Sequence, residues 1–159
     1  MSRYARVFRA GFVTFAAKGL TDAQYTALVT KFMAAIRSSV SCSSTPSQSL
    51  VIHALKDDAH AKQKIECRNM LKRRYDLVRN FVNTHTSKVL EALPFNSGYF
   101  MSFHVNTGKA EEIRKALLKE KGIGIIQIDP YTLRVAFSSI DEDKIDSVYT
   151  SIYNVADAL

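Results

Sequence analysis

Cysteine is scarce in this sequence: 159 residues hold two, Cys42 in a serine-rich stretch and Cys67 on a helix face. They form no CxxC pair and no metal-ligand spacing, and two such cysteines suit a reducing cytoplasm. His53, His60, His85 and His104 show no ligand spacing with one another or with either cysteine, so no metal site is expected. Glycine is sparse as well, at 6 residues. No P-loop and no GxGxxG occurs; the GIG at 122–124 is too short for a dinucleotide fingerprint and sits at the wrong end of a helix. GxSxG is missing too, and no nucleophile–base constellation offers itself. Nothing approaches the roughly 18 to 20 apolar residues of a membrane span. The apolar run GFVTFAAKGL is short, is broken by Lys18 and lacks a cleavage site, so it is not read as a signal peptide. The expectation is a soluble, cytoplasmic chain with no membrane partner.

Acidic residues are the minority, 15 against 22 lysines and arginines, for a net charge of +7. A nucleic-acid or anionic-lipid partner, a solvated helix face, and a fragment whose acidic counterparts lie elsewhere are three readings of that excess. The basic residues are spread over several segments. Those of the longest helical pattern, Lys62, Lys64, Arg68, Lys72, Arg73 and Arg79, have no aromatics interleaved. A solvated face is therefore the reading, and no nucleic-acid partner is expected.

The hydrophobic fraction of 47% is enough to bury a core. RVFRAGFVTFAA (6–17) reads as a strand. Thr21 then starts a helix, with Gln24 three residues on in the capping-box arrangement, and Tyr25, Leu28, Val29, Phe32 and Ile36 make its apolar stripe. The serine-rich SSVSCSSTPSQS stops it, and SQSLVIHAL restarts as a short helix behind Pro46. From Asp57 a single helix of about nine turns is expected, ending near Leu90, with Cys67, Leu71, Tyr75, Val78 and Val82 on one ridge. After Pro94 the period becomes two. Tyr99, Met101, Phe103 and Val105 face one way, and Phe100, Ser102 and His104 the other. Thr107-Gly108 makes a turn, a helix carries Ile113 and Leu117 inward, and Gly122 is its left-handed cap. GIGIIQIDP and TLRVAFSS are two further strands. Ser139 or Asp141 caps the last helix, striped by Ile145, Val148, Ile152, Val155 and Leu159.

Residues 57–159 thus read as an α+β small domain: a long helix, then a three-stranded sheet with helices on one face. Residues 1–56 hold one strand and two helices, and a lone strand cannot satisfy its own ladder. They are expected to be the remnant of a larger domain.

Arg134 lies mid-strand on the face opposite Leu133, Val135 and Phe137. A guanidinium held on a strand offers a planar fork that matches a carboxylate with two parallel hydrogen bonds; a solvent-exposed arginine at a sheet edge is the other reading. Arg9, just before Gly11, suits a phosphate approached closely over the glycine, or else pairs with a local acid at a strand end. Asn96-Ser97-Gly98 is a turn entering a strand, with or without a pocket to line.

Taken in order, RVFRAGFVTF, IRSSVSCSSTPSQSL, LPFNSGYFMSFHV and TLRVAFSS resemble the C-terminal portion of the pyridoxal-phosphate-dependent aminotransferases of fold type I, class I/II. The resemblance covers essentially the whole chain. It implies that Arg9 contacts the cofactor phosphate and that Arg134 holds the substrate α-carboxylate. It makes Asn96 and Arg37 candidate substrate contacts, Ser41 a candidate for the cofactor, and Ser43 a candidate in the same loop, which in the family reaches a neighbouring subunit. The family's Schiff-base lysine stands eight residues before the phosphate arginine, a position that here is Met1. The Trp-Gly pair often found just before that arginine is here Arg6-Val7.

What the resemblance implies is the C-terminal fragment of an enzyme that passes an amino group from an amino acid to a 2-oxo acid. That enzyme works on pyridoxal phosphate and is a homo-oligomer. The expectation for the chain alone is no catalytic residue, no bound cofactor and no transamination. The alternative is a non-catalytic assembly module that pairs with itself or with an N-terminal partner chain.

Overall fold

Strict alternation of burial along two short segments organises the second half of the chain. Met101, Phe103 and Val105 are buried, and so are Leu133 and Val135, while Ser102, His104, Thr132 and Arg134 between them are half-buried. This is the period-two pattern expected of a sheet with one face on a core. The computed structural model describes residues 10–159. By contacts the chain divides into two units, Met1–Lys64 and Ile65–Leu159.

In the first unit, α1 (Asp22–Ser39) begins at Thr21, whose side chain accepts from the Gln24 amide while the Gln24 side chain accepts from the Thr21 amide. The expected capping box is therefore formed, satisfying two of the helix's free donors. Ser44 caps α2 (Thr45–Lys56), with Pro46 in its first turn. The strand expected over 6–17 falls partly outside the described residues, and its described part, 10–17, forms no strand. Among the described residues that segment has no neighbouring strand to complete a ladder. It is held to α1 instead: Tyr25 Oη bonds both the amide and the carbonyl of Ala17, and Phe15 meets Phe32 edge-on at 5.7 Å.

The helix α3 (His60–Thr84) enters the second unit after its first turn. It is shorter than expected, because 85–92 do not continue it. Ser87 Oγ accepts from the amides of Val89 and Leu90 and donates to Asp157, a local alternative to helical bonding. Leu90 is buried, so its apolar character served a strand and not a helix.

That strand, β1 (Leu90–Ala92), pairs with β2 (Met101–Val105). After α4 (Ala110–Ala116) come β3 (Ile126–Asp129), β4 (Thr132–Val135) and finally α5 (Ile145–Asp157). The sheet is antiparallel with four strands, not three, in the order β1-β2-β4-β3. Gly122, at φ +65°, terminates the π turn that extends α4. A 3-10 turn, Glu142–Lys144, intervenes before α5, and Asp141 makes no side-chain cap there.

Val78 and Phe81 of α3, Ile113 and Leu117 around α4, and Tyr149 and Ile152 of α5 pack with Phe103, Leu133 and Phe137 into one core. Each fully buried side chain of this size contributes about 1.5–3 kcal/mol. Val155 joins them, whereas Leu159 is exposed.

Candidate functional site

The sheet's other face carries the polar residues. Register places Ser102 of β2 and Ile126 of β3 on either side of Arg134 in β4. Leu133 and Val135, its neighbours in sequence, are both buried on the core side, so the backbone of Arg134 sits on a rigid, well-packed strand. Its Nε is buried and finds no hydrogen-bond partner among the described residues. The guanidinium carbon lies 4.7 Å from the centroid of the Phe100 ring. No carboxylate among the described residues forms an ion pair with it. A buried guanidinium donor without an acceptor costs free energy unless something fills the vacant direction. A carboxylate is the group that a planar guanidinium fork matches best.

The turn leading into β2 is held to the same region. Gly98 takes φ +93°, a conformation glycine adopts without strain. The Ser138 amide donates to the Tyr99 carbonyl at 3.3 Å, tying the turn to the segment just after β4. Arg74 of α3 donates to the Ser138 carbonyl and lies 3.8 Å from Asp141, with only 14% of its side chain exposed. It steadies the chain just downstream of Arg134. Asn96 itself is exposed and accepts from Ser97 Oγ at 3.2 Å. The turn's contact with Arg134 is made by Phe100.

Arg37 and Ser41 come together in the first unit, the Arg37 Nη1 donating to Ser41 Oγ. Ser41 has φ +72°, and both residues are exposed. Ser43 Oγ accepts from Gln48 Nε2 at 2.6 Å. Arg9 and Met1 lie outside the described residues. No group of histidine, cysteine and carboxylate residues suited to a metal occurs among the described residues. Neither Phe100 nor Arg74 stands out in the sequence by motif. Phe100 shares the Ser102 face by alternation, and Arg134 is register-paired with Ser102, so the pattern held the signal for that contact.

The sequence model of aminotransferase class I and II matches residues 7–152. The chain belongs to this family. An aminotransferase from Anaerococcus prevotii is similar in fold, with a TM-score of 0.68 at 24% identity over 84% of this chain and 32% of that one. So are an α-aminoadipate aminotransferase from Thermus thermophilus (TM-score 0.68, 14% identity, 83% of this chain and 36% of that one) and a kynurenine aminotransferase from Pyrococcus horikoshii (0.67, 18%, 83% and 35%). No curated protein matches significantly. The chain spans about a third of the length of these solved aminotransferases.

Aminotransferases of this family use pyridoxal phosphate, and the Thermus structure holds N-(5'-phosphopyridoxyl)-L-leucine. The described residues do not fit that group. The buried side-chain polar atoms left unpaired among them are Arg74 Nε, Arg134 Nε and Tyr149 Oη. Tyr149 belongs to the core, and the Arg74 guanidinium is engaged at the Ser138 carbonyl beyond β4. The Ser41 hydroxyl is exposed and engaged by Arg37. Among these three, Arg134 is the one on the outer face of the sheet, and its guanidinium suits a carboxylate. Among the described residues no helix is long and apolar enough to cross a membrane.

Proposed function

We propose that this chain is the C-terminal portion of a pyridoxal-phosphate-dependent class I/II aminotransferase, in which Arg134 binds the α-carboxylate of the amino-acid or 2-oxo-acid substrate. The observation that carries the reading is the buried, unpartnered Nε of Arg134 on a strand packed from its core side. Within the intact enzyme an amino group passes from an amino acid to a 2-oxo acid. The cofactor supplies the electron sink, and the role of Arg134 is to bind and orient the substrate. Arg9, toward the cofactor phosphate, and Asn96, beside the substrate, belong to the same reading. Arg37 and Ser41 bond each other and would have to part before either touched substrate or cofactor. The position eight residues before Arg9 is a methionine, whose thioether cannot form a Schiff base, so these 159 residues alone are proposed to be inactive. Two reduced cysteines suit the cytoplasm.

Titration of the isolated chain with pyruvate tests this, following the Val135 backbone amide resonance by NMR. The expected result is a saturable shift, absent with methyl pyruvate and abolished in Arg134→Lys, which lacks the planar fork. An identical response in Arg134→Lys would refute the assignment. The same preparation should show no amino-group transfer between alanine and 2-oxoglutarate with added pyridoxal phosphate.

One feature supports an assembly role beside this one. The first unit has no buried apolar side chain among its described residues, and Phe12, Met33 and Leu55 are 82%, 64% and 67% exposed. Apolar surface left open to this extent drives association. Sedimentation velocity should give a self-associated species, and a monomer at all concentrations would exclude homo-oligomerisation through this face.

A further inference from the structure

The guanidinium of Arg134 raises a problem that its carboxylate role alone does not solve. A long, flexible side chain with no acid beside it has many rotamers to occupy, and ordering it on binding weakens affinity. Across the sheet its register partners are Ser102 and Ile126, both neutral, and no ion pair holds it among the described residues. Among the described residues its one attraction is to Phe100, at 4.7 Å from guanidinium carbon to ring centroid. That distance is well inside the roughly 6 Å over which an aromatic face attracts a cation. The character of this contact matters. A carboxylate or carbonyl would occupy the N–H donors, whereas a ring attracts the cation through its π face and leaves the N–H edge open.

Resting on the carboxylate reading of Arg134, we infer that Phe100 is the positioning residue of the site: its ring holds the guanidinium plane so that the N–H edge is ready for a carboxylate. The turn before β2 serves that placement. Gly98 at φ +93° redirects the chain, and the Ser138 amide fixes the Tyr99 carbonyl at 3.3 Å, one residue before the ring. Phe100 is 45% exposed and is not part of the hydrophobic core, so replacing it leaves the core packing intact.

The test uses the isolated chain and pyruvate, with the dissociation constant read from the Val135 backbone amide resonance, a probe that every variant retains. Phe100→Leu should weaken pyruvate binding about three- to tenfold, the range of a partly exposed cation–π contact. Phe100→Tyr should bind as the wild type does, since its ring keeps the π face. The upfield ring-current shift of the Arg134 Hε signal should vanish in Phe100→Leu and persist in Phe100→Tyr. If Phe100→Leu binds pyruvate like the wild type while Arg134→Lys has lost it, the positioning role is wrong and the carboxylate role stands. If Phe100→Tyr loses as much as Phe100→Leu, the ring face is not what acts, and the inference is again overturned. If Arg134→Lys binds like the wild type, the carboxylate reading itself fails.

Discussion

Removing one oxygen atom from the core should make this protein more stable. Tyr149 is fully buried between Phe81 and Phe103, with ring centroids at 5.6 and 6.2 Å, and its hydroxyl has no hydrogen-bond partner among the described residues. A buried hydroxyl without a partner costs about 1–3 kcal/mol of lost hydration. Tyr149→Phe removes that cost. It leaves roughly one atom's volume empty, a loss of a few tenths of a kcal/mol at about 24 cal/mol per Å³. The net expectation is a gain of about 1 kcal/mol, read as a higher urea midpoint at unchanged slope.

The alkaline limb sharpens the test. Burial, and secondarily the neighbouring Tyr153 charge, pushes the Tyr149 phenol far above its ordinary range. A group whose folded pKa is raised contributes stability fully present below its unfolded pKa and lost as pH rises beyond it. Wild-type stability should therefore fall above about pH 10, the ordinary phenol value, and Tyr149→Phe should fall less. Tyr153, pushed upward by burial and then by Asp157, retains the remaining slope. A Tyr149→Phe protein less stable than the wild type by 1 kcal/mol or more would refute the reasoning, because it would mean that the hydroxyl is satisfied.

Other consequences are equally open to measurement. Arg74→Ala strips the Ser138 carbonyl of its donor and should cost about 2 kcal/mol by urea unfolding. Gly108→Ala should destabilise by about 1–2 kcal/mol, since φ there is +71° and the new Cβ would meet Tyr131 Cε1 at 3.0 Å. The hydrogen-bonded Arg114 guanidinium holds the Glu111 carboxyl down to about 2. A depressed folded pKa places that pair's contribution above the ordinary carboxylate value of about 4.3, and it is lost as pH falls toward 2. Arg114→Gln should move the Glu111 carboxyl titration, followed by NMR, back toward that ordinary value; no movement would exclude the pair.

The two halves of the chain were unequally legible. Where a segment's apolar residues all pack within the second unit, periodicity was enough: the faces of β2 and β4, the inward pair Ile113 and Leu117, and the Gly122 cap all follow from local spacing. Leu90 misled because an apolar residue on a helical period also fits a three-residue strand. Only the long-range bonds from Ser87 and the Leu90–Val105 pairing decide between them. Residues 10–17 carry strand-like composition, yet strand formation needs a neighbour that no local pattern can supply. At the site, the face of Arg134 was readable by alternation. Its vacant Nε was not, because an absent acceptor is a property of three-dimensional packing and leaves no mark in the order of residues.

A crystal structure of the isolated chain grown with pyruvate tests the central claim most directly. The account predicts the pyruvate carboxylate within about 2.7–2.9 Å of the Arg134 guanidinium nitrogens, the length of a charge-assisted bond, with the Phe100 ring still against the guanidinium. Pyruvate bound elsewhere, with Arg134 Nε paired to a protein carbonyl, would contradict it.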